Sequence, residues 1–222
     1  MLEINNLTFS YDGKTNVLDG VSCKLESGQI YCLLGVNGAG KTTLFNCLTG
    51  YLQSNLSLNK NLGKEQILYV QDKMSLYYRL TGQEFIEMIF KIKDIVLDQS
   101  LLRDLVLQLN LGDKINEYIY TYSLGTKQKL VLIIGFLLNY EYIFMDEPFA
   151  VIDFISAEVV IDFLRGCRDK NNTIVVSTHQ IDVAQEISDY ILFLNQGKVH
   201  TVKNRFGDSR ALKQWIRGKA IC

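Results

Sequence analysis

The segment Gly35-Val36-Asn37-Gly38-Ala39-Gly40-Lys41-Thr42-Thr43 constrains this 222-residue chain more than any other. It fits G-x-x-x-x-G-K-[ST], a loop that functions only between a strand and a helix. The apolar run Ile30–Leu34 leads into it and the helix-period run Thr42–Leu48 leads out. Its glycines let the backbone curl so that successive N–H groups face inward at anionic oxygens, and the following helix adds its positive end. In that frame Lys41 reaches toward β- and γ-phosphates, and the Thr42 hydroxyl serves Mg²⁺. The segment therefore predicts a nucleoside triphosphate site, without choosing among ATPases, GTPases and kinases.

Short apolar runs of strand character recur at Ile67–Val70, Tyr142–Met145, Ile174–Val176 and Tyr190–Leu194, separated by helix-period segments such as Val159–Leu164. That alternation predicts an α/β fold with a largely parallel sheet covered on both faces. The middle of the chain reads differently. From Thr81 to Tyr122 the apolar residues fall at helical spacing (Phe85, Ile86, Ile89, Phe90, then Leu101, Leu102, Leu105, Leu109), which predicts an inserted helical subdomain. The expected organisation is one domain over 1–222, with 1–72 and 125–222 forming the nucleotide-binding core and 73–124 the insertion.

Composition narrows the function classes. At 48% hydrophobic and 21% charged residues the chain is an ordinary folded one, close to globular averages. With 23 basic and 24 acidic residues, net charge −1, it has no global field for nucleic acid, and no nucleic-acid partner is expected. The run Leu130–Leu138 is far below the roughly 20 residues of a membrane span. Met1–Lys14 lacks the basic and apolar regions of a signal peptide. Five cysteines (Cys23, Cys32, Cys47, Cys167, Cys222) are scattered with no C-x-x-C pair, as expected for reduced, buried thiols. The stretch Lys198–Lys219 is rich in Lys and Arg and reads as a solvated face.

The strand-like run Tyr142–Met145 ends in Asp146-Glu147-Pro148, which contains the only proline of the chain. Ligands of a doubly wound sheet gather at the carboxyl ends of its strands. There Asp146 suits Mg²⁺, a hard cation that prefers oxygen ligands, and Glu147 suits a general base acting on the attacking water. Proline lacks an N–H and ends the strand's ladder.

These motifs, in this order, resemble the ATP-binding-cassette (ABC) ATPases, and the resemblance covers essentially the whole chain. Gly35–Thr42 resembles the family's Walker A loop and Tyr142–Glu147 its Walker B strand with the catalytic glutamate. The resemblance implies a phosphate-loop fold with a parallel sheet, an antiparallel β part and an inserted helical subdomain. It also implies a role for Gln71 at Mg²⁺ and the attacking water, for His179 at the γ-phosphate, for Tyr11 in stacking on adenine, and for Asp153 in the D-loop. The signature segment is divergent: the family's L-S-G-G-Q reads Tyr122-Ser123-Leu124-Gly125-Thr126. Ser123 and Gly125 survive, Ser123 as an N-cap for the apolar helix that follows and Gly125 as an amide facing the γ-phosphate of an opposing subunit.

The resemblance implies ATP and Mg²⁺ as ligands, a second ATPase subunit as homo- or heterodimer partner, and a separate integral membrane permease. The expected location is the cytoplasmic face of the cell membrane, held there by the permease. The Ser-Leu-Gly variant is similar to the signatures of bacterial peptide and antibiotic exporters, which points to export of a peptide or amphipathic compound. A soluble, non-transport ABC-type ATPase and a regulatory subunit with a degenerate site are the competing readings.

Overall fold

The computed structural model describes residues 1–58, 66–71 and 75–220. Residues 72–74, at the expected boundary of the insertion, and Cys222 lie outside the described residues. Strands β3 (Ile30–Leu34), β6 (Tyr142–Asp146) and β7 (Thr173–Ser177) are buried at every position, as strands covered on both faces must be. With β5 (Ile67–Val70), β8 (Tyr190–Asn195) and β9 (Lys198–Lys203) they form a six-stranded sheet in the order β5-β6-β7-β3-β8-β9. The pairs β6/β7, β7/β3 and β3/β8 are parallel, and β8/β9 is antiparallel. Strands β1 (Leu2–Phe9), β2 (Leu18–Leu25) and β4 (Ser57–Leu58) make a separate antiparallel sheet in the order β2-β1-β4.

Contacts divide the chain into two units. The first comprises Met1–Tyr69, Tyr140–Glu147 and Leu164–Cys222. Its core joins Leu2, Leu18 and Leu25 of the antiparallel sheet to Leu33, Phe144 and Leu192 of the large one, around Leu44 and Phe45 of helix α1 (Lys41–Leu48). The second unit comprises Val70–Asn139 and Pro148–Phe163. It contains the span 73–124 read from the sequence as the insertion and also takes in the following helix.

In the second unit, helix α2 (Gly82–Lys93) begins with a capping box in which Thr81 and Glu84 bond each other's backbone N–H groups, two donors satisfied at once. Helix α3 (Gln99–Gln108) is capped by Asp98, and Leu102 and Leu105 are buried along it. Helix α4 (Leu124–Leu138) is apolar from Leu130 onward, with Leu130 to Phe136 all buried, the pattern of a helix covered on every side. No helix among the described residues is long and apolar enough to cross a membrane. Cys23, Cys32, Cys47 and Cys167 are free and buried. Burial pushes the Cys23 and Cys32 thiols up to about 12.

Candidate nucleotide site

Three adjacent strands of the first unit deliver chemistry at their carboxyl ends. From β3 comes the phosphate loop, from β6 come Asp146 and Glu147, and from β7 come Ser177, Thr178 and His179. Gly40 precedes α1 at φ 103° with no side-chain cap, a backbone that L side chains rarely adopt. The first amides of α1 thus remain available to an anion.

Lys41 is 8% exposed. Its ammonium donates to the Gly35 carbonyl at 2.8 Å, while Glu147 Oε1 stands 3.9 Å away. A buried cation held by a neutral carbonyl, with its nearest carboxylate beyond hydrogen-bond reach, is matched to an incoming phosphate. Thr42 Oγ1 donates to Asp146 Oδ2 at 2.6 Å, and the Ser177 hydroxyl donates to Asp146 Oδ1. Asp146 is 3% exposed. The Thr42 oxygen keeps its lone pairs for a cation while its O–H points to Asp146. That donor set of hydroxyl and carboxylate oxygens fits Mg²⁺.

Glu147 lies just past the end of β6 with φ 50°, a left-handed backbone for a long side chain. Such a conformation costs on the order of 1–3 kcal/mol and clusters at functional sites. Its N–H bonds both the Ser177 carbonyl at 3.2 Å and the Ser177 hydroxyl at 3.0 Å. Its Oε2 meets His179 Nδ1 at 3.0 Å, while Oε1 is the oxygen nearer Lys41. The Tyr11 ring, 65% exposed, packs edge-on against Phe9, and its hydroxyl meets Thr43 Oγ1 at 3.1 Å. The loop beyond Tyr11 is fixed by Asp12, whose carboxylate accepts the Thr15 and Lys14 N–H groups and the Ser10 hydroxyl. Those bonds hold its pKa down at about 2.

Gln71, Ser123, Gly125 and Asp153 belong to the second unit. Gln71 follows β5 and is half-buried. Ser123 caps α4, accepting the Thr126 N–H at 3.2 Å and meeting the Thr126 hydroxyl at 2.8 Å. A side chain on Gly125 would put its Cβ 2.6 Å from the Val151 carbonyl oxygen, so only glycine fits. One turn further along α4, Lys129 pairs with Asp153 at 2.7 Å. The Lys129 bond and the Ser156 N–H hold the Asp153 carboxyl well below the usual carboxylate range. Ser177 and Lys129 carry this architecture without any motif to announce them, because their partners lie on other elements.

A phosphate loop, an acidic strand end and a histidine converging on one sheet edge define a nucleoside triphosphatase of the phosphate-loop class. The ABC transporter family model matches residues 18–150. AlbC of Bacillus subtilis (strain 168) is 29% identical over 217 residues, with 91% of each chain covered. The lantibiotic transport ATP-binding protein SrtF of Streptococcus pyogenes is 27% identical over 228 residues, covering 100% of this chain and 98% of its own. A dimeric, post-hydrolysis ATP-binding cassette bound to ADP and Pi has the same fold, with a TM-score of 0.79 at 21% identity, over 93% of this chain and 100% of that one. The chain belongs to the ABC transporter family. It is an ATPase whose ligands are ATP and Mg²⁺.

Proposed function

We propose that this ATPase is the motor subunit of a peptide exporter, working with a second cassette and a separate membrane permease at the inner face of the membrane. The observation that carries the catalytic part is the juxtaposition of Lys41, Asp146, Glu147 and His179 on three neighbouring strand ends. The similarity to SrtF over the full chain supports a peptide cargo. The fold shared with a dimeric cassette supports the second subunit.

In this reading the phosphate loop amides and Lys41 bind the β- and γ-phosphates, and Tyr11 offers its exposed ring to the adenine. Thr42 and Asp146 would hold Mg²⁺, whose charge would be neutralised in part by Asp146 and which would in turn offset charge on the phosphate oxygens. Glu147 takes a proton from the attacking water. His179 holds that carboxylate in place through its Nδ1 contact and turns the rest of its ring toward the γ-phosphate. Positioning and electrostatics account for nearly all catalysis in phosphoryl transfer, and a buried lysine beside a fixed carboxylate supplies both.

In the second unit, Ser123 and Gly125 present the N-terminus of α4 to the partner subunit's nucleotide, and Asp153 fixes the adjoining loop. The capped and sterically matched start of α4 favours an active signature over a degenerate one. Purification of the tagged chain from solubilised membranes tests the assignment. A polytopic membrane protein should co-purify, and the pair in vesicles should move a peptide cargo only with hydrolysable ATP. Recovery of an active ATPase bound to ribosomes or DNA, with no membrane protein, would overturn it.

A further inference from the structure

We infer that Ser177 is a positioning residue of the ATPase site, whose one hydroxyl both orients the Asp146 carboxylate and fixes the backbone that aims Glu147. The inference rests on the roles proposed above for Asp146 and Glu147. Ser177 stands directly opposite Asp146 in the parallel β6/β7 pair and has no solvent exposure. A hydroxyl has one proton to give and two lone pairs to receive. Here the proton goes to Asp146 Oδ1 and a lone pair receives the Glu147 N–H at 3.0 Å.

Thr42 occupies the other carboxylate oxygen of Asp146. The carboxylate is thus pinned at both oxygens, one donor coming from the phosphate loop and one from β7. The preceding residues Ile174, Val175 and Val176 are apolar and buried, so packing alone would place another apolar side chain at 177. The buried hydroxyl there instead makes a hydrogen bond to each of the two acidic residues. Partners of this kind, one step removed from the metal, are worth roughly 10- to 100-fold in metal affinity or activity.

The test compares Ser177→Ala, Ser177→Thr and wild type by binding of a fluorescent ATP analogue with and without Mg²⁺, by Mg²⁺ dependence of turnover, and by thermal unfolding. Ser177→Ala should bind the metal-free analogue as wild type does, need roughly tenfold more Mg²⁺ for half-saturation, and turn over roughly tenfold or more slowly. Ser177→Thr restores the hydroxyl and should recover most of the Mg²⁺ response. Should the alanine variant resist purification, Ser177→Cys keeps the volume with a much weaker donor and should show the same Mg²⁺ defect.

Unchanged Mg²⁺ half-saturation and turnover in Ser177→Ala would overturn the inference. So would equal losses with and without Mg²⁺ alongside a lowered unfolding temperature, since that pattern is purely structural. Failure of the underlying site reading shows elsewhere, as full ATPase activity in Glu147→Gln.

Discussion

His179 Nδ1 and Glu147 Oε2 meet at 3.0 Å across 32 residues of sequence. The contact joins the end of β7 to the residue after β6, and the other carboxylate oxygen, Oε1, lies 3.9 Å from the Lys41 ammonium. A base held between an imidazole and a lysine keeps one direction for the water it must polarise.

Glu147→Gln keeps the shape and removes the basic oxygen. The variant should bind Mg-ATP like wild type and hydrolyse it at least 100-fold more slowly, in keeping with general-base contributions of about 10²–10⁴. If ATP bridges two subunits, size-exclusion chromatography with Mg-ATP should show this variant at twice the monomer mass. Wild type with Mg-ADP should elute as monomer.

Lys41→Ala removes the buried charge facing the phosphates. Nucleotide affinity and turnover should both fall, the latter by at least 100-fold, as for other electrostatic contacts to developing charge. Titration of a fluorescent ATP analogue together with a phosphate-release assay measures the two effects separately. Wild-type turnover would remove Lys41 from the site.

Gly125→Ala drives a methyl group to 2.6 Å from the Val151 carbonyl oxygen. Overpacking of this kind costs about 1–3 kcal/mol, so the urea midpoint should drop with little change in slope. Gly166, whose Cβ would meet nothing within 4 Å, provides the control: Gly166→Ala should hold or raise stability.

The Lys129–Asp153 pair predicts a pH signature. The Asp153 carboxyl is depressed in the folded chain by the Lys129 bond and then by the Ser156 N–H. Its stabilisation is therefore complete above the unfolded value of about 3.9 and is lost as pH falls through the lower folded value. The gap in unfolding temperature between wild type and Asp153→Asn should be constant from about pH 5 to 7 and shrink below about pH 4. Asp153→Asn should also cost more than Lys129→Met, because it leaves a buried ammonium without its partner.

The phosphate loop and the acidic strand end were legible in the sequence because their chemistry is local: consecutive residues form each one, and flanking apolar runs place it. Ile30–Leu34 forms β3 with those ends. The run Tyr142–Met145 extends one residue to bring Asp146 inside β6, because Ser177 continues the pairing opposite it. Ser177 itself was illegible, since a serine closing a strand looks ordinary until the β6/β7 register is known. For Gly125 the sequence suggests only an amide for a ligand. Its steric reason, the Val151 carbonyl 26 residues away, appears only in three dimensions. Strand β9 is not legible in the sequence, because an edge strand half in solvent carries lysines that mask its period.

The left-handed backbone at Glu147 sets thermodynamic preference against chemical need at one position. Glycine is the residue a stability-driven selection would choose there, since it adopts that φ freely while its own entropic cost is only about 0.5–1 kcal/mol. Glu147→Gly should therefore melt no lower than wild type while having no detectable turnover. Consensus or computational stabilisation of this protein that leaves residue 147 free to change would drift toward a sturdier, inert cassette.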